Sequence, residues 1–282
     1  MNFSQPAADV YVPDGSTVAQ ALSRTTHLCL AAHQDDIEIM AYHGISECHG
    51  RKDRWFTGVV LTDGSSSPRS GKFANHSDEQ MKAVRRAEQR QAAKLGQYSA
   101  VIQLTHPSTM VKGVKSDAVR DDLAAILSAC PAKIVYLHNP ADKHDTHVAV
   151  FLRCLEALRA LPKAKRPRQV LGCEVWRNLD WLVDTDKVLL DDSAQPALAA
   201  KLIGAFQSQI AGGKRYDRAI AGRRLANATF HTSHATDQAS AVTWAMDLTP
   251  LIHDDKLSTE KFTLAHIERL RADVNTRLRR FK

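Results

Sequence analysis

The stretch THLCLAAHQDDIE, Thr26 to Glu38, sets a short apolar run (27–32) directly against His33, Asp35, Asp36 and Glu38. A run of that length reads as a buried strand. The acids behind it suit the first turn of a helix starting near Ile37. Moving outward, the alternation repeats. FTGVVLT (56–62) is β-branched and stops at DGSSS, a loop; DEQMKAVRRAEQRQAAKLG (78–96) is rich in helix formers and closes on Gly96. AVIQL (100–104) and KIVYLH (133–138) read as strands. SDAVRDDLAAILSAC (116–130), with Ser116 as N-cap, and THVAVFLRCLEALRAL (146–161) read as helices. Strand and helix in turn predict an α/β fold, Rossmann-like, with a mostly parallel sheet and helices on both faces. Ligands bind such sheets beyond the carboxyl ends of the strands, and HQDD, TDGSSS and HNPADKHDTH all fall there.

The second half is less regular. VLGCEVWR (170–177), KVLLD (187–191) and AVTWAMDL (241–248) read as strands; PALAAKLIGAFQSQI (196–210) and the closing 257–282 segment read as helices. The expectation is one domain over 1–282, with a Rossmann-like metal-binding core in 1–160 and a substrate-pocket and closing part in 161–282.

Composition narrows the function. The chain has 282 residues, 44% hydrophobic and 24% charged, with a net charge of +7 and thirteen histidines. No apolar run reaches the roughly 18 residues of a membrane span, and no secretory leader is visible. Cys29, Cys48, Cys130, Cys154 and Cys173 are scattered, which predicts reduced thiols, a cytoplasmic location and no thiolate zinc site. The basic cluster Lys163, Lys165, Arg166 and Arg168 reads as a solvated loop, and no nucleic-acid-binding motif accompanies it. Neither nucleic acid nor membrane is expected as a partner; self-association into a homo-oligomer is compatible with the sequence.

A strand ending in His-x-x-Asp aims an imidazole and a carboxylate over the sheet edge, a pairing that suits a divalent metal such as zinc. A third ligand must come from another loop at that edge. KHDTHVAV supplies His144 and His147 at the mouth of a helix. His33, Asp36 and His147 would then form a His₂Asp set with open positions. His138 and Asn139, ending their strand, are candidates to support it.

These residues carry a resemblance. AHQDDIE (32–38), VLTDG (60–64), RRAEQRQAAKLG (85–96) and HDTH (144–147), in that order, resemble the motifs of the LmbE-like, or PIG-L, de-N-acetylases. EVWR (174–177) and SQIAGGKRY (208–216) match more loosely. The resemblance implies a zinc-dependent de-N-acetylase that frees acetate and an amine from an N-acetylglucosamine-type sugar or conjugate, with Fe²⁺ a possible substitute metal. It implies His33, Asp36 and His147 as ligands, Asp35 as general base, His144 as oxyanion stabiliser and Arg85 as a sugar contact. Such chemistry is physically sound, because zinc polarises a carbonyl and lowers the pKa of its water from about 16 toward about 7.

Two departures stand out: Gln34 replaces the signature proline, and HDTH replaces the usual H-P-D-H, leaving Asp142 or Asp145 to orient His144. Asp35 has a competing role as a helix N-cap, and Glu38 as a dipole partner or ligand support. Asp63 forms a turn with Gly64 and is a candidate to line the pocket. Trp176 and Arg177 form either a sugar-binding wall or ordinary strand residues. The rival functions are hydrolysis of another amide or a phosphoester on the same metal site, and a non-catalytic sugar-binding module. A nucleotide-binding Rossmann protein fits poorly, since no G-x-G-x-x-G follows the first strand.

Overall fold

The computed structural model describes residues 1–114 and 117–282. Eight strands form one sheet: β1 (Asp9–Tyr11), β2 (His27–Ala31), β3 (Phe56–Thr62), β4 (Ala100–His106), β5 (Ile134–His138), β6 (Gln169–Cys173), β7 (Lys187–Asp191) and β8 (Val242–Asp247). Their spatial order is β1-β4-β3-β2-β5-β6-β8-β7. The five central strands, β4 to β6, run parallel; β1, β8 and β7 add antiparallel pairings at the edges. The α/β, mostly parallel sheet expected from the alternating pattern is therefore present.

The central strands are buried on both faces, as β2 and β3 show by having no exposed residue. Leu28 and Leu30 point into one apolar layer and Cys29 and Ala31 into the other, the period of two that a strand imposes. The first layer is closed by helices 117–129 and 145–160, the second by helices 36–40, 78–95 and 196–204. Helix 78–95 begins at a Ser77–Gln80 capping box, in which each side chain satisfies the other residue's backbone N–H.

Chain order decides where a crevice opens. From β2 the chain moves outward through β3 to β4, then returns to the far side of β2 for β5 and β6. The loops after β2 and β5 diverge, and the space between their carboxyl ends is the topological switch point where open α/β sheets bind ligands.

Several expected boundaries move. The strand expected over 170–177 ends at Cys173, and the helix expected over 196–210 ends at Gly204. Helix 216–230 and β1 were not anticipated. The expected N-cap Ser116 lies outside the described residues. Among the described residues, no helix is long and apolar enough to cross a membrane.

Candidate metal centre and its pocket

Beyond β2 the chain turns abruptly. Asp35 has φ +87°, a conformation that L residues seldom adopt and that costs about 1–3 kcal/mol when imposed. The turn is held from outside. Arg85, from helix 78–95, donates to the Gln34 carbonyl and, at 3.0 Å, to Asp35 Oδ2. Gln89, one turn further along, accepts the Asp35 N–H at 3.3 Å. Asp35 makes no side-chain capping bond, so its competing role as a helix cap is not realised. Gly64 completes the fit, at φ +74°, where a Cβ would come 2.6 Å from Gln34 Oε1.

The turn aims His33 and Asp36 at His147, in the first turn of helix 145–160. Three donor atoms converge. His33 Nδ1 lies 3.1 Å from Asp36 Oδ2, His147 Nε2 lies 3.3 Å from the same oxygen, and the two nitrogens are 3.2 Å apart. Tetrahedral zinc with bonds of about 2.0–2.1 Å separates its ligands by about 3.3 Å, so the donor set already has the spacing of a zinc ligand face. Its electrostatics agree. His147 is buried, which disfavours its charge, yet Asp36 and Asp142 outweigh burial and push its pKa up to about 9. Burial also works to raise Asp36, but His147 and His33 hold it well below the usual carboxylate range. The site thus favours a positive charge at its centre, a place for which protons and metal ions compete.

Around these donors the orienting groups are specific. Asp142 Oδ2 lies 3.2 Å from His147 Nδ1, which fixes Nε2 as the free nitrogen. Asp142 Oδ1 accepts the His144 backbone N–H at 3.1 Å. Neither Asp142 nor Asp145 orients the His144 ring. The ring Nδ1 instead accepts the Thr146 N–H at 3.2 Å and caps helix 145–160. Capping leaves the proton on Nε2. Burial, together with the charges of His147 and His33, lowers the His144 pKa, so the ring is a neutral donor rather than an imidazolium. Asp145 is exposed.

His138, fully buried, stacks on His147 with ring centroids 3.9 Å apart. Its Nε2 accepts the Ala32 N–H at 2.9 Å, which occupies the lone pair a metal would need. It is therefore a wall behind His147. Glu38 is also buried, its Oε1 accepting from Tyr98 and Gln89 at 2.8 Å each; burial pushes its carboxyl up to about 8. It acts on the site through Gln89, which holds the Asp35 backbone, and not through a ligand.

A cavity of about 520 Å³ opens over this centre, lined by His33, Asp35, Asp36, His144 and, further out, Asp63 and Trp176. Arg85 also reaches it, but is only 2% exposed and is engaged with Asp35, Glu88 at 3.3 Å and Ser208 at 3.3 Å. Its contacts are those of a clamp on Asp35. Arg177 is exposed and does not line the cavity, a correction to its expected place. The strand ends at Cys173, and the chain turns before Arg177 can follow Trp176 inward. Lining residues the sequence reading left unassigned are Ser108, Lys112, Gln209, Lys214 and Tyr216. They come from segments without a local chemical signature; only the loose match over 208–216 pointed toward three of them.

Fold and donor set together define an α/β protein with a candidate metal centre at the switch point of its mostly parallel sheet. Residues 28–158, a little under half of the chain, match the family model described as PIG-L: GlcNAc-PI de-N-acetylase. Solved structures agree on the fold. N,N'-diacetylchitobiose deacetylase from Pyrococcus horikoshii is 16% identical, with a TM-score of 0.60 over 82% of this chain and 86% of its own. The A40926 pseudoaglycone deacetylase Dbv21 is 15% identical, with a TM-score of 0.57 over 79% of this chain and 97% of its own. The 4-carboxy-2-hydroxymuconate hydratase GalB from Pseudomonas putida KT2440 is 18% identical, with a TM-score of 0.61 over 79% of this chain and 96% of its own. A hydratase among these folds shows that the architecture hosts more than one reaction. No curated protein matches the chain.

Proposed function

We propose that this protein is a metal-dependent hydrolase that removes the acetyl group from an N-acetylglucosamine-type sugar or conjugate, releasing acetate and a free amine. The observation that carries the reading is the meeting of His33 Nδ1, Asp36 Oδ2 and His147 Nε2, within 3.1–3.3 Å of one another, on the floor of a cavity that Asp35 also lines. Sugar binding alone does not require a buried carboxylate beside such a donor set. The family-model match over 28–158 and the deacetylases among the structural neighbours, one of them a diacetylchitobiose deacetylase, support the choice of an N-acetyl group.

His33, Asp36 and His147 would hold the metal, most simply zinc. Bound there, it supplies Lewis-acid polarisation of the amide carbonyl and a water of lowered pKa. Asp35 takes the proton of the attacking water and passes it to the departing nitrogen as the C–N bond breaks. Burial raises the Asp35 carboxyl to about 6, with Arg85 working against the rise, so it is ionised at neutral pH yet basic enough to accept a proton. Arg85, Gln34 and Gln89 hold it in place. His144 donates Nε2–H to the carbonyl oxygen as charge develops there, a contribution of roughly 3 kcal/mol for one such donor. Trp176, 6.2 Å from the His144 ring and nearly parallel to it, bounds the sugar's side of the cavity, and Asp63 lies at the same rim. Five buried, unpaired cysteines support a cytoplasmic location.

The test is acetate release from a panel of N-acetylated sugars, with and without chelator. Chelator-sensitive, metal-restorable release supports the reading. Phosphate release from phosphoesters, or sugar binding with no turnover, refutes it.

A further inference from the structure

We propose that Arg224 is a positioning residue for the metal centre: it fixes the far end of the short helix 36–40 and so sets where Asp36 stands between His33 and His147. The inference rests on the metal-binding part of the proposed function and adds the device that holds its geometry.

Helix 36–40 is little more than one turn long and begins on Asp36 itself. It breaks at Ala41 (φ −120°, ψ 24°), and a second helix starts at Tyr42. In a continuing helix the N–H groups of Tyr42 and His43 would serve the Glu38 and Ile39 carbonyls, but both residues lie beyond the break. Arg224, from helix 216–230, takes their place. Its Nη2 donates to both carbonyl oxygens, at 3.0 Å each. A cation at that end also suits the helix dipole.

The anchor is itself held. Arg224 is only 5% exposed, and its guanidinium lies 4.8 Å from the centre of the Tyr42 ring. Its Nε lies 2.9 Å from Asp192 Oδ2, which also accepts the Thr243 hydroxyl at 2.6 Å. Asp192 directly follows β7 and Thr243 lies in β8, so the grip on helix 36–40 is referred to the edge of the sheet. Asp192, Arg224 and Thr243 all lie outside the 28–158 segment that the family model matches.

Burial alone would not set the position. Ile37, Ile39 and Met40 pack into an apolar layer, but hydrophobic contact is non-directional and leaves the helix free to slide along its axis. Two hydrogen bonds at one end stop that slide. Asp36 and Ile39 are separated by about 4.5 Å of helix rise, so movement of the carbonyl end is passed to Asp36. Metal–ligand distances tolerate only about 0.2 Å of error, and Asp36 Oδ2 must keep its 3.1 Å and 3.3 Å spacings to the His33 and His147 nitrogens. Arg85 grips the chain on the other side of Asp36, at Gln34 and Asp35. A buried ion pair is by itself weak evidence for stability; the carbonyl contacts give this one a use.

Two single variants separate the contacts. Arg224→Lys keeps a cation for Asp192, but its shorter reach and single ammonium cannot serve both carbonyls. Asp192→Asn removes the ion pair and leaves the Arg224 donors on the carbonyls. Chelator competition gives the zinc affinity of each, and urea titration its stability. Arg224→Lys should lose about 10–100-fold in zinc affinity, whereas Asp192→Asn should lose stability and keep wild-type zinc affinity. Should Arg224→Lys not fold, the double variant Asp192→Asn/Arg224→Met, which leaves no lone buried charge, should show the same loss of zinc. Wild-type zinc affinity in a folded Arg224 variant overturns the inference. So does a zinc affinity that falls in step with stability in every variant, Asp192→Asn included, because Arg224 then only supports the fold. The comparison needs no turnover. A wild type that binds zinc but releases no acetate ends the hydrolase reading and leaves this test intact, whereas a wild type that binds no zinc overturns the metal centre and the inference together.

Discussion

Asp35→Asn separates the base from the metal centre and from the fold. Asparagine keeps the shape, accepts the Arg85 hydrogen bond now 3.0 Å long, and tolerates φ +87° as well as any non-glycine residue. What it lacks is a proton-accepting carboxylate, and a positioned general base contributes about 10²–10⁴-fold. Acetate release should fall by that factor, about 3–5 kcal/mol on the barrier. Metal content should not change, since His33, Asp36 and His147 remain. Stability should move the other way. The folded-state pKa of Asp35 is raised by burial from 3.8 to about 6, so the folded protein holds this proton more tightly than the unfolded chain does. Stability from this group is complete below pH 3.8 and is lost as pH rises through 6, so ionised Asp35 costs about 2–3 kcal/mol at pH 7. The neutral amide removes that cost. Thermal denaturation of the metal-stripped variant at pH 7 should therefore show a midpoint several degrees above wild type. Wild-type acetate release would refute the base assignment; lost metal with lost activity would make Asp35 a ligand; a destabilised metal-free variant would refute the account of its burial.

Other perturbations test the supporting structure. Asp142→Asn removes the carboxylate that orients His147, and should weaken zinc affinity by about 10–100-fold in a chelator competition; unchanged affinity would show that His147 needs no such partner. His147→Ala should release the metal, as elemental analysis would reveal; full zinc content would remove His147 from the ligand set. His27, whose pKa burial and the charge of His43 lower to about 4, favours the protonated unfolded chain as pH falls from 6.5. It should account for about 3 kcal/mol of stability lost between pH 6.5 and 4, so His27→Gln should flatten that limb in urea titrations, and an unaltered slope would count against it. Gly64→Ala, at φ +74° and against Gln34 Oε1, should cost at least about 1–2 kcal/mol and lower the thermal midpoint; an unshifted midpoint would mean that the turn relaxes freely.

Much of this was legible in the residue order. Local periodicity and caps specify the strands β2 to β5 and the longer helices between them, because burial on two faces and hydrogen-bonded termini are local demands. The same logic located polar clusters at strand ends and nominated His33, Asp35, Asp36 and His147. Other features depend on contacts between residues far apart in the chain. Arg85 read as a sugar contact until helix 78–95 was packed beside the 33–36 turn, where it clamps Asp35. The His144 ring keeps its proton on Nε2 because Nδ1 accepts the Thr146 N–H, and burial with the charges of His147 and His33 keeps it neutral; Arg177 left the pocket because β6 ends early. Lys112 has no motif and Lys214 only the loose match over 208–216; folding alone puts these residues, 102 positions apart, on one cavity. Sequence by itself determined which groups can do chemistry and which elements bear them, since both follow from residue type and short-range pattern. Tertiary structure decided which groups meet, what neutralises them and which stay free, since charge and hydrogen bonding depend on distances that only packing sets.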